Sequence, residues 1–184
     1  MKRLAFVVLL VVASLGAPAF AGEQKVVYEH VGRPLFSFTL PDGWILDTDF
    51  GDEARAAGAD TSAGPEIRIV EAMPVDGTKL WLGAWVVPRA STLDRGLEYV
   101  ASLDGELFSD VAISPPRETE IGGMKARALA GTAKREGEKV ELAAVLFEAR
   151  PGVVAVVLYV GLPDTWSKHR DELQQIVASV QPAR

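Results

Sequence analysis

The 184-residue chain contains no cysteine and only two histidines. Without a thiol there is no disulfide framework, no thiol nucleophile, no iron–sulfur cluster and no cysteine zinc site. The histidines, His30 and His169, are far apart, and no His-Glu-x-x-His spacing offers a compact metal motif. Gly-x-Ser-x-Gly is also missing, which removes the nucleophile elbow of the common hydrolase pattern. Positive charge is in deficit: 19 Lys and Arg stand against 25 Asp and Glu, a net charge of −6. That balance repels nucleic acid and anionic lipid, so neither is an expected partner. No hydrophobic run reaches the roughly 20 residues needed to span a bilayer.

One short apolar run is present, at residues 4–15. Lys2 and Arg3 precede it, Pro18 and Ala19-Phe20-Ala21 follow, and the chain then turns polar at Gly22-Glu23-Gln24. This is the pattern of a secretory signal peptide over residues 1–21. Ala19 and Ala21 supply the small side chains that signal peptidase requires, and Gly22 becomes the first residue after cleavage. With no cysteine to carry a lipid, the product is expected to be periplasmic or secreted, without a stable membrane anchor. Removing 21 residues leaves 163, and losing Lys2 and Arg3 takes the net charge to −8. A chain of that length can bury one ordinary core without disulfides. Residues 22–184 are read as a single domain.

Strand patterns dominate that domain. Residues 25–30 and 35–40 are short strands, and Pro41-Asp42-Gly43 is a turn before a strand opening at Trp44. Residues 48–64 lose β-branching and become rich in Asp, Ala and Gly, the composition of a loop, with one helical turn expected near residues 53–57. Strands at 66–72 and 79–87 flank an Asp76-Gly77 hairpin turn. Ser91 or Thr92 caps a helix expected to reach Leu107, with Leu93, Leu97 and Val100 on one stripe. Ser114-Pro115-Pro116 is a rigid break. Residues 118–135 (turning at Gly122-Gly123), 139–149 and 153–161 form a meander, and the last two segments are apolar at nearly every position. Strands without alternation are covered on both faces, so these two belong at the centre of the sheet. A terminal helix is expected over 163–180, with Trp166, Leu173, Ile176, Val177 and Val180 on its apolar stripe. The fold class is α+β: a mainly antiparallel sheet with helices packed on its faces.

The segment Phe36-Ser37-Phe38-Thr39-Leu40-Pro41-Asp42-Gly43-Trp44 resembles the opening of PsbP-like and DcrB-like domains, where an aromatic strand runs into a Pro-x-Gly-Trp turn. The later order is similar too: a middle helix, the Ile121-Gly122-Gly123 turn, a three-strand meander and a helix ending Ile176-Val177-Ala178-Ser179-Val180. The resemblance spans about residues 25–182. It implies an α-β-α sandwich from a superfamily of binding and assembly proteins, among them photosystem accessory subunits, a Mog-type Ran-binding factor and periplasmic proteins. It brings no catalytic residues and no cofactor.

Few residues suggest chemistry of their own. Both histidines read as solvent-exposed. Asp47-Thr48-Asp49-Phe50-Gly51-Asp52-Glu53 superficially resembles a calcium loop, but the sixth and twelfth positions are Asp52 and Gly58, where an EF-hand needs Gly and Glu. Trp81 and Trp85 flank Gly83 on one face of a strand, leaving a gap for an apolar ligand or a packed helix. Ala126, Ala128 and Ala130 make a small-residue face for helices. The expected function is therefore a non-enzymatic binding or assembly module for an extracytoplasmic protein. The alternative is a carrier for a small apolar ligand held at Trp81, Gly83 and Trp85 between sheet and helix. An enzyme of unrecognised type stands third. No metal and no cofactor is expected.

Overall fold

The computed structural model describes residues 22–47, 68–103 and 108–183. The expected signal peptide with Ala19 and Ala21, the acidic loop at 48–64 and Leu107 lie outside these residues. Within them, eleven strands and three helices follow one another. The strands are β1 (Gln24–His30), β2 (Arg33–Leu40), β3 (Trp44–Asp47), β4 (Val70–Pro74), β5 (Leu80–Val86), β6 (Ser109–Ile113), β7 (Arg117–Ile121), β8 (Met124–Arg135), β9 (Glu138–Arg150), β10 (Val153–Gly161) and β11 (Gln181–Pro182). Helix α1 (Leu93–Ser102) follows β5, and α2 (Pro163–Lys168) and α3 (Arg170–Ser179) follow β10.

The large sheet has the order β3-β4-β5-β10-β9-β8-β6, with β7 also paired to β8, and every pairing is antiparallel. The two mostly apolar segments, β9 and β10, are interior strands, as their lack of alternation implies. Long β8 changes partners along one edge: β7 pairs with Met124–Ala128, and β6 with Gly131–Lys134. Ser114-Pro115-Pro116 lies at that changeover, where prolines cost no ladder donor. Strands β1, β2 and β11 form a second, three-stranded sheet.

Each face of the large sheet has its own cover. On one side α1 lies over Leu146 and Val154. A Cβ on Gly96 would come within 2.7 Å of Leu146 Cδ2 and 3.0 Å of Val154 Cγ1, so the missing side chain lets the helix reach the sheet. The Thr92 hydroxyl caps α1 by accepting from the Arg95 amide at 3.3 Å. On the other side the small sheet and α2–α3 pack down. Phe36 meets Phe147 edge-on at 5.1 Å, and Tyr28 stacks on Phe36 at 4.8 Å. Trp166 of α2 stands edge-on to Tyr159 at 6.4 Å.

Two expectations are corrected. The terminal helix is not continuous: His169 (φ −104°, ψ 13°) separates α2 from α3. The small-residue face on β8 is only partly covered: Ala126 is buried, Ala128 half-buried and Ala130 exposed.

Candidate functional site

Glu71 pairs with Gly83 across β4 and β5, and β-strand alternation places Met73, Trp81, Gly83 and Trp85 on the same face as Glu71. Trp81 and Trp85 do flank Gly83, but the space between them is not empty. A Cβ on Gly83 would lie 2.2 Å from Trp81 Cη2, so the Trp81 indole itself lies across the glycine. Its N–H donates to Glu71 Oε2 at 2.7 Å. Glu71 is only 5% exposed. The indole therefore supplies a donor to a carboxylate that burial would otherwise penalise. Trp85 is buried deeper, and its N–H has no hydrogen-bond partner.

Beyond Trp81 the sheet opens into a cleft of about 290 Å³ lined by Met73, Trp81, Val140 and Val160, with Lys79, Arg135 and Glu138 at its margin. Gly83 and Trp85 do not line it. Lys79 Nζ pairs with Glu138 Oε2 at 2.9 Å, a contact that raises the lysine pKa. Ile45 pairs with Met73, and Val75 lies two residues further along that strand's line. Ile45 is 37% exposed and Val75 57%. Ile45, Met73 and Val75 thus make an exposed apolar strip leading to the cleft.

A second cluster lies where α2 meets α3, and it overturns the expectation that His169 is exposed. His169 is 5% exposed, and both ring nitrogens are engaged. Nδ1 lies 2.9 Å from Glu172 Oε2, while Nε2 lies 3.0 Å from Thr78 Oγ1 and 3.5 Å from Asp76 Oδ2. The Trp44 indole N–H donates to the same Glu172 oxygen at 2.7 Å. Thr78 also hydrogen-bonds Asp76 through its hydroxyl and its amide, and Lys168 Nζ reaches Asp76 at 2.5 Å. Those contacts, the lysine's first and then the threonine's, hold the Asp76 carboxyl well below the usual carboxylate range.

The Thr78–His169–Glu172 connectivity is that of a hydroxyl–imidazole–carboxylate relay. Its surroundings are those of a tie: the imidazole is buried, and the threonine hydroxyl is held by Asp76. The cluster fastens the β4–β5 hairpin to the helix junction. Sequence reasoning missed it because Thr78 and His169 are 91 residues apart. The local signal was the His169–Glu172 spacing, which puts the two on one helical face. Glu71 was missed as well, although an acid between Val70 and Ala72 interrupts an apolar strand. Among the described residues, no group of three His, Asp or Glu could hold a metal ion. No described helix is long and apolar enough to cross a membrane. Of the processing residues only Gly22 is described, and its amide donates to Asp42 Oδ1 at 2.6 Å.

A large antiparallel sheet covered by α1 on one side and by α2, α3 and a small sheet on the other is the PsbP-like α-β-α sandwich, as the resemblance implies. The first two of three similar solved structures bear this fold out. The solution structure of cyanobacterial PsbP (CyanoP) from Synechocystis sp. PCC 6803 superposes with a TM-score of 0.60 at 13% identity, covering 94% of this chain and 99% of that one. PA94 from Pseudomonas aeruginosa, a protein of unknown function, gives 0.53 at 14% identity, covering 87% and 98%. LpqN from Mycobacterium tuberculosis, involved in cell envelope biogenesis, gives 0.49 at 16% identity, covering 89% and 91%. No protein-family model matches the chain. No curated protein sequence matches it either.

Proposed function

We propose that the chain is an exported, non-enzymatic binding module that docks a partner protein on the Ile45–Met73–Val75 strip. The observation that carries this reading is the strip itself: apolar side chains left open on a sheet face and continuous with a cleft. Export rests on the signal pattern of residues 1–21. The test compares periplasmic pull-downs by the wild type and by the double variant Ile45→Lys/Val75→Lys. One captured protein present with the first and missing with the second, at unchanged circular dichroism, supports the reading. Identical capture by both overturns it.

A second reading is favoured by the cleft at Trp81, whose floor is apolar and whose volume is at the small end of ordinary ligand sites. In that reading the module carries a small apolar molecule. A neutral naphthylamine dye should then quench tryptophan fluorescence saturably, and Trp81→Ala should abolish the effect. Gly83 and Trp85 would act here indirectly, by setting where the Trp81 ring lies.

A further inference from the structure

A second cleft, of about 320 Å³, opens at the opposite end of β5 and β10. Two arginines, Arg68 and Arg89, line it beside His30 and Ser91, over an apolar wall that includes Val86 and Val153. None of its lining residues is acidic, although acidic residues outnumber basic ones in the chain. Among the described residues neither guanidinium enters an ion pair; Arg33, Arg117, Arg150 and Arg170 share that state, but Arg68 and Arg89 are brought to one cleft that holds no carboxylate. Guanidinium groups left without carboxylates at a concave surface are suited to an incoming anion.

The backbone gives an independent reason. The Ala90 amide donates to the Val87 carbonyl at 3.3 Å, closing a four-residue turn with Pro88 and Arg89 at its centre. Arg89 has φ +58°, a conformation that favours glycine and is strained for a long side chain. Local turn chemistry calls for Gly here, and Arg brings no compensating contact among the described residues. Val31, Asp110 and Glu136 adopt the same region, but of the four only Arg89 lines this cleft. Tyr28 stiffens this end of the cleft. Its hydroxyl donates to the Arg68 carbonyl at 2.8 Å and accepts from the Val86 amide at 3.3 Å.

We infer that this cleft binds a small organic anion, its charged head between Arg68 and Arg89 and its apolar body against Val86 and Val153. The site is separate from the docking strip and does not depend on it.

The test uses hexanoate as probe, followed through the amide resonances of Ser91 and Gly152 in the full domain. Saturable shifts are expected with hexanoate, at least about tenfold weaker in Arg89→Gly and Arg68→Ala. Arg89→Gly is the decisive variant, because glycine suits the backbone there and the melting temperature should hold or rise. Arg89→Lys should retain part of the affinity. Four results would each overturn the inference: no saturation with hexanoate; equal binding by Arg89→Gly; equal binding of 1-hexanol, which would make the charge irrelevant; or equal binding of inorganic phosphate, which would make the apolar wall irrelevant.

Discussion

One oxygen of Glu172 takes Nδ1 of His169 at 2.9 Å and, at the same time, the indole N–H of Trp44 at 2.7 Å. Through this carboxylate β3 is tied to the helix junction, and through the other ring nitrogen the β4–β5 turn is tied as well. His169→Ala removes the centre of the tie, opens a cavity and strips Glu172 of one partner. A loss of about 2–4 kcal/mol in chemical denaturation is expected. His169→Gln, whose amide can replace one contact, should lose less. A loss below about 1 kcal/mol for the alanine variant would show that the cluster bears no strain of the fold.

Gly83→Ala tests the placement of the Trp81 ring. The new methyl would collide with the far end of the indole, which must swing away and release Glu71. The expected outcome is a red-shifted tryptophan emission and a loss of about 1–3 kcal/mol, the cost of a buried carboxylate losing its donor. Trp81→Phe should cost a similar amount, and adding Glu71→Leu should recover part of it, because the orphaned group is then gone.

Gly96→Ala sets two effects against each other. In an exposed helix, alanine gains about 1 kcal/mol over glycine. Here the added methyl would press on Leu146 and Val154, both fully enclosed, and overpacking costs about 1–3 kcal/mol. Net destabilisation is expected, read as a lower melting temperature. A stabilised variant would mean that α1 lifts off the sheet at little cost.

Tyr159 has a buried hydroxyl with no hydrogen-bond partner, and burial pushes its phenol pKa far up. The unfolded chain ionises this group near its ordinary value, while the folded chain keeps the proton. Stability from this source is fully present below about pH 10 and falls by up to about 1.4 kcal/mol per pH unit above it. Tyr28 adds in the same direction, since burial raises its pKa too. Tyr159→Phe should flatten the alkaline decline and be neutral or stabilising at pH 7, because it removes a donor that never finds an acceptor. An unchanged alkaline limb would count against the assignment.

The meander was legible because β9 and β10 carry their own signature: apolar at nearly every step through residues 140–147 and 153–160, hence interior. Helix stripes and glycine turns were legible for similar local reasons. Legibility ended wherever the determinant was a contact between distant segments. Periodicity shows Trp81 and Trp85 on one face, but only the fold shows that the Trp81 ring turns back over Gly83 towards Glu71. Likewise the break in the terminal helix at His169 has no Pro or Gly to announce it; it coincides with the bonds to Thr78 and Glu172. Nothing local in the sequence links Arg68, just before β4, with Arg89, just after β5; only the pairing of those strands brings them to one cleft.

The three-stranded sheet draws on both extremes of the described chain. β1 and β2 arrive first, and β11, which pairs Gln181 with Ser37, arrives last. Its Phe36, with Tyr28 and Phe38 against it, seats on Phe147, near the middle of the meander. A chain emerging from its amino end therefore carries a bare hairpin, with Tyr28, Phe36 and Phe38 unsheltered, until β9 has been made. The third strand can close only after α3. Contacts of such long sequence separation slow folding. The waiting hairpin is the segment that a chaperone, or a premature encounter with another copy, would meet.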